Sequence, residues 1–104
     1  MQLSVGDYGT KIVLTILDQN KNPVIINDPV RIDFKRPNHT TFSRNAQILN
    51  DGTDGKVFYI TQPGDIDMPG EWILQACITD NSSYRFYSSC EILQVNKILI
   101  PNLI

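Results

Sequence analysis

The sequence predicts an all-β fold, an antiparallel β-sandwich of about seven strands. Apolar residues recur with a period of two, most clearly where Val30, Ile32 and Phe34 alternate with charged neighbours. Pro, Gly, Asn and Asp interrupt these runs roughly every 8–12 residues, which is typical of a sandwich or a small barrel. No stretch keeps helical spacing over three turns.

Length and composition limit the possible classes of function. The chain has 104 residues, which suits one domain, and its 41% hydrophobic and 19% charged residues are typical of a globular protein. The formal net charge is −2 and no face collects Lys or Arg, so we expect no nucleic-acid partner. We expect no membrane span and no signal peptide, and hence synthesis in a cytosol.

The remaining strands follow the same alternation, and their inward residues define a core. Further strands are predicted over Lys11–Leu17, Lys56–Thr61, Glu71–Thr79 and Tyr84–Val95, the last bent by a bulge. Trp72 is expected to be the largest core side chain. The predicted core residues are Leu14, Ile32, Phe34, Trp72, Leu74 and Ile78.

The two cysteines are predicted to be free thiols. If Asn81–Ser83 turns the last hairpin, Ile78 pairs with Phe86 and Ala76 with Ser88. Continuing this register pairs Leu74 with Cys90 and Trp72 with Ile92. Cys90 would then point inward and Cys77 outward, a geometry that no disulfide can bridge.

No residue pattern indicates catalysis, so we expect no enzyme, no cofactor and no metal. The single histidine, His39, lies in a polar turn far from either cysteine, which leaves no nucleophile–base pair and no histidine-rich metal site. Four aspartates in glycine-containing loops suit their turns as backbone acceptors, with calcium binding as the alternative: Asp51, Asp54, Asp65 and Asp67. Four aromatic residues could instead form a sugar-binding platform: Tyr8, Phe42, Tyr84 and Tyr87.

Several segments, in this order and spacing, resemble the N-terminal domain of the baseplate upper protein of phages that infect Gram-positive bacteria. They are Gly6-Asp7-Tyr8-Gly9, Ile12-Val13-Leu14-Thr15, Asp18, Pro23-Val24-Ile25, Val30-Arg31-Ile32-Asp33-Phe34, Asp54-Gly55-Lys56-Val57-Phe58-Tyr59 and Gly64-Asp65-Ile66-Asp67-Met68-Pro69-Gly70-Glu71-Trp72. The resemblance covers about residues 2–95. It departs from the family at Asn27-Asp28-Pro29, where a Thr-Gly-Ala-like turn is usual, and in lacking a long C-terminal region.

The resemblance implies an immunoglobulin-like domain at residues 1–95 and a structural role in a virion. The domain could lie in the tail, the baseplate, a head fibre or the capsid surface of the virion, and its partners would be other virion proteins. The alternative is a carbohydrate- or receptor-binding module that recognises a host-surface glycan.

Residues 96–104 form an apolar C-terminal tail beyond the last sandwich strand. Its apolar residues are the candidate interface: Ile98, Leu99, Ile100, Leu103 and Ile104. Such side chains are expected to be covered, either by the chain's own sheet or by a neighbouring copy or another virion protein. The second arrangement predicts a homo-oligomer, with a trimer as the specific expectation.

Overall fold

The computed structural model describes residues 2–27, 29–78 and 85–99, and these residues confirm the all-β prediction. They contain seven strands and no helix. The strands are β1 (Gln2–Ser4), β2 (Lys11–Thr15), β3 (Val30–Lys35), β4 (Thr41–Ile48), β5 (Lys56–Ile60), β6 (Gly70–Ile78) and β7 (Glu91–Asn96).

The seven strands form one curled sheet in the order β1-β7-β6-β3-β4-β5-β2. Strand β4 causes the curl because its two partners pair with different parts of it. Its residues 41–46 pair with β3, whereas Gln47 and Ile48 pair with β5. The chain therefore turns a corner within one strand, and the two halves of the sheet face each other across the core.

The prediction of a purely antiparallel sheet is wrong at one edge. β1 runs parallel to β7, with Gln2 beside Gln94 and Ser4 beside Asn96. Neither β1 nor β4 stood out in the sequence. β1 has only three residues, and in β4 the charged Arg44 interrupts the face that carries Phe42, Ala46 and Ile48.

The core lies between the two halves of the sheet, with Trp72 as the largest of the fully buried side chains. The Trp72 indole N–H donates a hydrogen bond of 3.1 Å to the Met68 carbonyl, so its one polar atom is satisfied. The ring of Phe42 meets Trp72 edge-on at 6.2 Å and stacks on Phe34 at 4.7 Å. The six residues expected in the core are all buried in this cluster: Leu14, Ile32, Phe34, Trp72, Leu74 and Ile78.

Strand β5 is preceded directly by a glycine, Gly55, that no other residue could replace without strain. Gly55 has a φ of 69°, and a Cβ at this position would collide with the Ile16 carbonyl oxygen. Because the backbones of Gly55 and Ile16 lie this close together, the Ile16 N–H bonds to the Gly55 carbonyl at 2.8 Å. This bond extends the β2–β5 ladder by one pair.

The pairing of β6 with the last part of the chain changes register once. Ile78 N–H bonds to Phe86 O and Ser88 N–H to Ala76 O, as the predicted hairpin register requires. Farther along, however, Trp72 pairs with Leu93 rather than with Ile92. One extra residue has been inserted between Tyr87 and Glu91, which is a β-bulge.

The bulge overturns the predicted orientation of Cys90. Cys90 is exposed rather than inward-facing, and Ile92 turns to the outer face while Leu93 takes its place in the core. Cys77 is buried, and both cysteines are free.

We expect Trp72→Ala to lower the free energy of unfolding by about 3–5 kcal/mol, because it removes the largest core side chain and leaves a cavity. The melting temperature should fall by about 10 °C or more in a domain of this size. Ile73→Ala is the matched control, since Ile73 is the next residue and faces outward. Thermal unfolding followed by circular dichroism measures both. Equal melting temperatures for Trp72→Ala and the parent would contradict the core described above.

Candidate functional site

The predicted apolar tail is exposed as far as the structure describes it. β7 ends at Asn96, after which Leu99 is 95% exposed and Ile98 is 36% exposed. Ile100, Leu103 and Ile104 lie outside the described residues. A leucine this exposed next to an isoleucine is costly in water, which makes the segment a candidate for contact with another surface.

A narrow slot separates the free edges of β2 and β7. Its walls come from Ile12, Val13 and Leu14 on one side and from Glu91, Ile92 and Leu93 on the other, with Leu74 between them. The slot has a volume of about 120 Å³. An apolar cavity of about 150 Å³ accommodates a benzene molecule, so the slot has room for about one aliphatic side chain.

Among the described strands, the backbone along the slot has no partner on either side. β2 is the last strand in the sheet order, so among the described strands only β5 pairs with it. Ile16 N–H bonds toward β5, and alternation along an antiparallel pair turns the N–H groups of Thr15, Val13 and Lys11 outward. On the other side, β1 covers the edge of β7 only from Gln94 to Asn96.

Glu91 lies at the mouth of the slot, where its side chain is exposed. It pairs with Leu74 in the β6–β7 ladder, and Leu74 belongs to the core. Within the described residues, Glu91 has no ion pair, and it accepts one long hydrogen bond of 3.3 Å from the Ser89 hydroxyl. A charge beside an unpaired stretch of strand edge discourages non-specific strand pairing.

The outer faces of the sheet also carry apolar side chains. Ile73 and Ile92 are directly opposite each other on β6 and β7, and Ile92 is 58% exposed. On the other half, Val13 pairs with Phe58 across β2 and β5, next to exposed Ile60. The predicted register had buried Ile92, and only the bulge places it on the surface.

A shallow groove of about 370 Å³ runs beside Ile60. Its lining combines amide and aromatic side chains: Asn45, Gln47, Gln62, Phe58 and Tyr59.

Asp65 is buried and holds together three separate parts of the chain. It accepts hydrogen bonds from the Arg44 guanidinium at 3.0 Å, from the Tyr59 hydroxyl and from the Gln62 N–H at 2.8 Å. Burial alone raises the pKa of Asp65, but the bonds from Tyr59, Gln62 and Arg44 outweigh it and place the pKa below its usual value. Burial and the bond to Asp65 raise the pKa of Tyr59. We name Asp65, Arg44 and Tyr59 the Asp65 cluster.

The Asp65 cluster fastens β4 to β5 and to the 61–69 loop. Arg44 stands at an inward-facing position of β4, opposite buried Ile32, and reaches across to the loop. Its guanidinium also covers the Phe42 ring at 4.7 Å, and Arg36 covers the same ring at 4.4 Å. The cluster is a structural element, because Arg44 and Tyr59 both donate hydrogen bonds to Asp65 and Arg44 also packs on the Phe42 ring.

The other aspartates that could bind calcium have local partners. Asp51 accepts two bonds from Thr53, which lower the pKa of its carboxyl, and Asp54 accepts bonds from Asn50 and from the Lys56 N–H. Asp67 forms an ion pair with Arg36 at 3.0 Å. In the described ranges, no three His, Cys, Asp or Glu side chains come together as metal ligands would.

His39, Tyr8, Phe42 and Tyr87 lie on separate segments of the chain. His39 has a φ of 72° in an exposed turn and donates its N–H to Arg36 O at 2.9 Å. Phe42 is held between Phe34 and the two arginines, whereas Tyr8 and Tyr87 are exposed on separate segments. Tyr84 lies outside the described residues.

Comparison with known proteins finds no family model that matches the chain and no curated protein with significant sequence similarity. The described part of the chain contains no helix that is long and apolar enough to cross a bilayer.

We expect Asp65→Asn to lower the free energy of unfolding at pH 7 by about 1–3 kcal/mol, because it weakens the bonds to Arg44 and Tyr59 at a buried position. The pKa of Asp65 is lower in the folded protein than the usual value of about 3.9. The contribution of the carboxylate is therefore complete above that value and is lost as the pH falls through the folded pKa. The difference between parent and variant should shrink below about pH 4.

Urea unfolding at pH 7 and at about pH 2.5 measures this difference. Asp67→Asn is the control, because Asp67 pairs with Arg36 in a more exposed setting and should contribute at most about 1 kcal/mol. Equal effects of the two substitutions at pH 7 would contradict the role of the Asp65 cluster.

Proposed function

We propose that this chain is an immunoglobulin-like protein–protein interaction module that forms part of a bacteriophage virion, in the tail, the baseplate, a head fibre or the capsid surface. In this role it binds other virion proteins and catalyses no reaction. Three kinds of observation support the proposal, and they are independent of one another.

The strand grouping supports the immunoglobulin-like assignment. Immunoglobulin domains place strands A, B, E and D in one sheet and strands C, F and G in the other. Here β2, β5 and the end of β4 form one group, and β3, β6 and β7 form the other. In chain order, β2 to β7 therefore correspond to B, C, D, E, F and G, with β1 beside G.

The placement of exposed apolar residues carries the functional proposal. Ile73 and Ile92 lie on one outer face, Val13 and Ile60 on another, and Leu99 extends beyond the last strand. These positions are flat faces and edges, which suit contact with another protein better than with a small molecule. The sequence resemblance over residues 2–95 identifies the kind of assembly in which such a module would act.

One observation favours a second candidate, a glycan-binding module. The groove beside Ile60 combines three amide side chains with Phe58 and Tyr59, and such a mixture can bond to hydroxyl groups while a ring packs against the sugar. This candidate becomes the better one if a saccharide binds the purified protein through these residues.

Immunolabelling of purified virions tests the proposed function. An antibody against this chain, viewed by negative-stain electron microscopy, should bind at one repeated position on each particle. The same antibody absorbed with purified protein should not label. Virions that bind no antibody and in which mass spectrometry finds no peptide of this chain would contradict a virion role.

A further inference from the structure

We infer that the slot between β2 and β7 receives the C-terminal tail of a second copy of this chain, with Leu99 in the slot and Lys97 beside Glu91. The inference rests on the proposed interaction role and specifies a partner and a surface for it. Both halves of the contact, the slot and residues 97–99, are described in the structure.

The slot and the tail match in shape and in backbone chemistry. The slot accommodates about one aliphatic side chain, and Leu99 is an aliphatic side chain that is almost fully exposed. The outward N–H and C=O groups of β2 can pair with an added strand, as in other peptides that extend a sheet. The Ile98-Leu99-Ile100 sequence is apolar and contains two β-branched residues, which favours an extended strand.

The charge of Glu91 favours the tail, which contains Lys97, over an apolar strand that has no cation. Glu91 is exposed at the mouth of the slot, and a strand inserted there would cover its carboxylate, which then needs a cation beside it. In an extended tail, Lys97 and Leu99 lie two residues apart and point to the same side. Glu91 and Leu93 have the same spacing on β7, so a Lys97–Glu91 pair places Leu99 next to Leu93 at the slot.

The tail of the same chain is poorly placed to enter the slot. β7 runs from Glu91 at the slot to Asn96, and the tail begins at the end away from the slot. To return, the tail would have to run back along the edge of β7, but β1 already occupies that edge from Gln94 to Asn96. A neighbouring copy can enter the edge at Glu91 and occupy it as far as Leu93, beyond which its chain must leave the edge because β1 begins at Gln94.

The contact is heterologous because the tail of one copy meets a different surface of the next. A heterologous contact closes into a ring when the rotation between copies allows it. The trimer expected from the sequence would be one such ring.

Charge reversal tests the contact in the full-length chain. In sedimentation velocity over a concentration series, the parent should self-associate, and Glu91→Lys and Lys97→Glu should each weaken association by about tenfold. The double variant Glu91→Lys/Lys97→Glu should recover affinity to within about threefold of the parent. Leu99→Asp should be monomeric, whereas the control Leu17→Asp, on an exposed leucine remote from the slot lining, should behave like the parent.

Mixing two variants tests the direction of the contact. Glu91→Lys keeps an intact tail, and Leu99→Asp keeps an intact slot. At a concentration at which neither variant associates alone, the mixture should form a one-to-one dimer. A parent that stays monomeric at all concentrations, a double variant no better than the single ones, or a mixture that behaves as the sum of its parts would overturn the inference. Virion labelling is independent of these results, so either proposal can fail alone.

Discussion

The division of strand β4 between two partners is the constraint on which the rest of the structure depends. Because β4 pairs first with β3 and then with β5, the sheet folds over itself and encloses Trp72. Where β4 turns this corner, one of its inward-facing positions lies at the rim of the core, and Arg44 occupies that position. The arginine is tolerated there because it donates a hydrogen bond to Asp65 and because its planar cation lies on the Phe42 ring. The Asp65 cluster therefore closes one side of the molecule.

On the opposite side, none of the seven described strands crosses from one half of the sheet to the other. There the edges of β2 and β7 face each other across the slot, and β1 covers only the second half of β7. Proteins usually protect such edges against chance pairing, and the charge of Glu91 at the mouth of the slot has that effect. The same carboxylate can also act as a specificity element, since it rejects an apolar strand that lacks a cation and accepts one that supplies it. The closed side thus provides stability, and we propose that the open side provides function.

The sequence predicted the fold class and much of the core, because strands β3 and β6 alternate apolar and polar residues over a clear period of two. It did not predict β4, whose inward residues include Arg44, since a charge at an inward position obscures the alternation. It placed a bulge in the last strand but not its position, so Cys90 and Ile92 were assigned to the wrong face. Asp65 was recognised as a loop residue, but its burial depends on Arg44 and Tyr59, which are distant in sequence. The slot could not be predicted, because it arises from where β1 stops along β7.

Backbone amide exchange at Val13 tests most directly whether the open edge is where the protein acts. The Val13 N–H points away from β5, whereas those of Ile12 and Leu14 point toward it. Hydrogen exchange followed by NMR can be compared for the parent at an associating concentration and for monomeric Leu99→Asp. The account predicts that Ile12 and Leu14 are protected in both samples and that Val13 is protected only in the associated parent. Equally rapid exchange of Val13 in both samples, with the parent associated, would show that the copies meet elsewhere and would contradict the account.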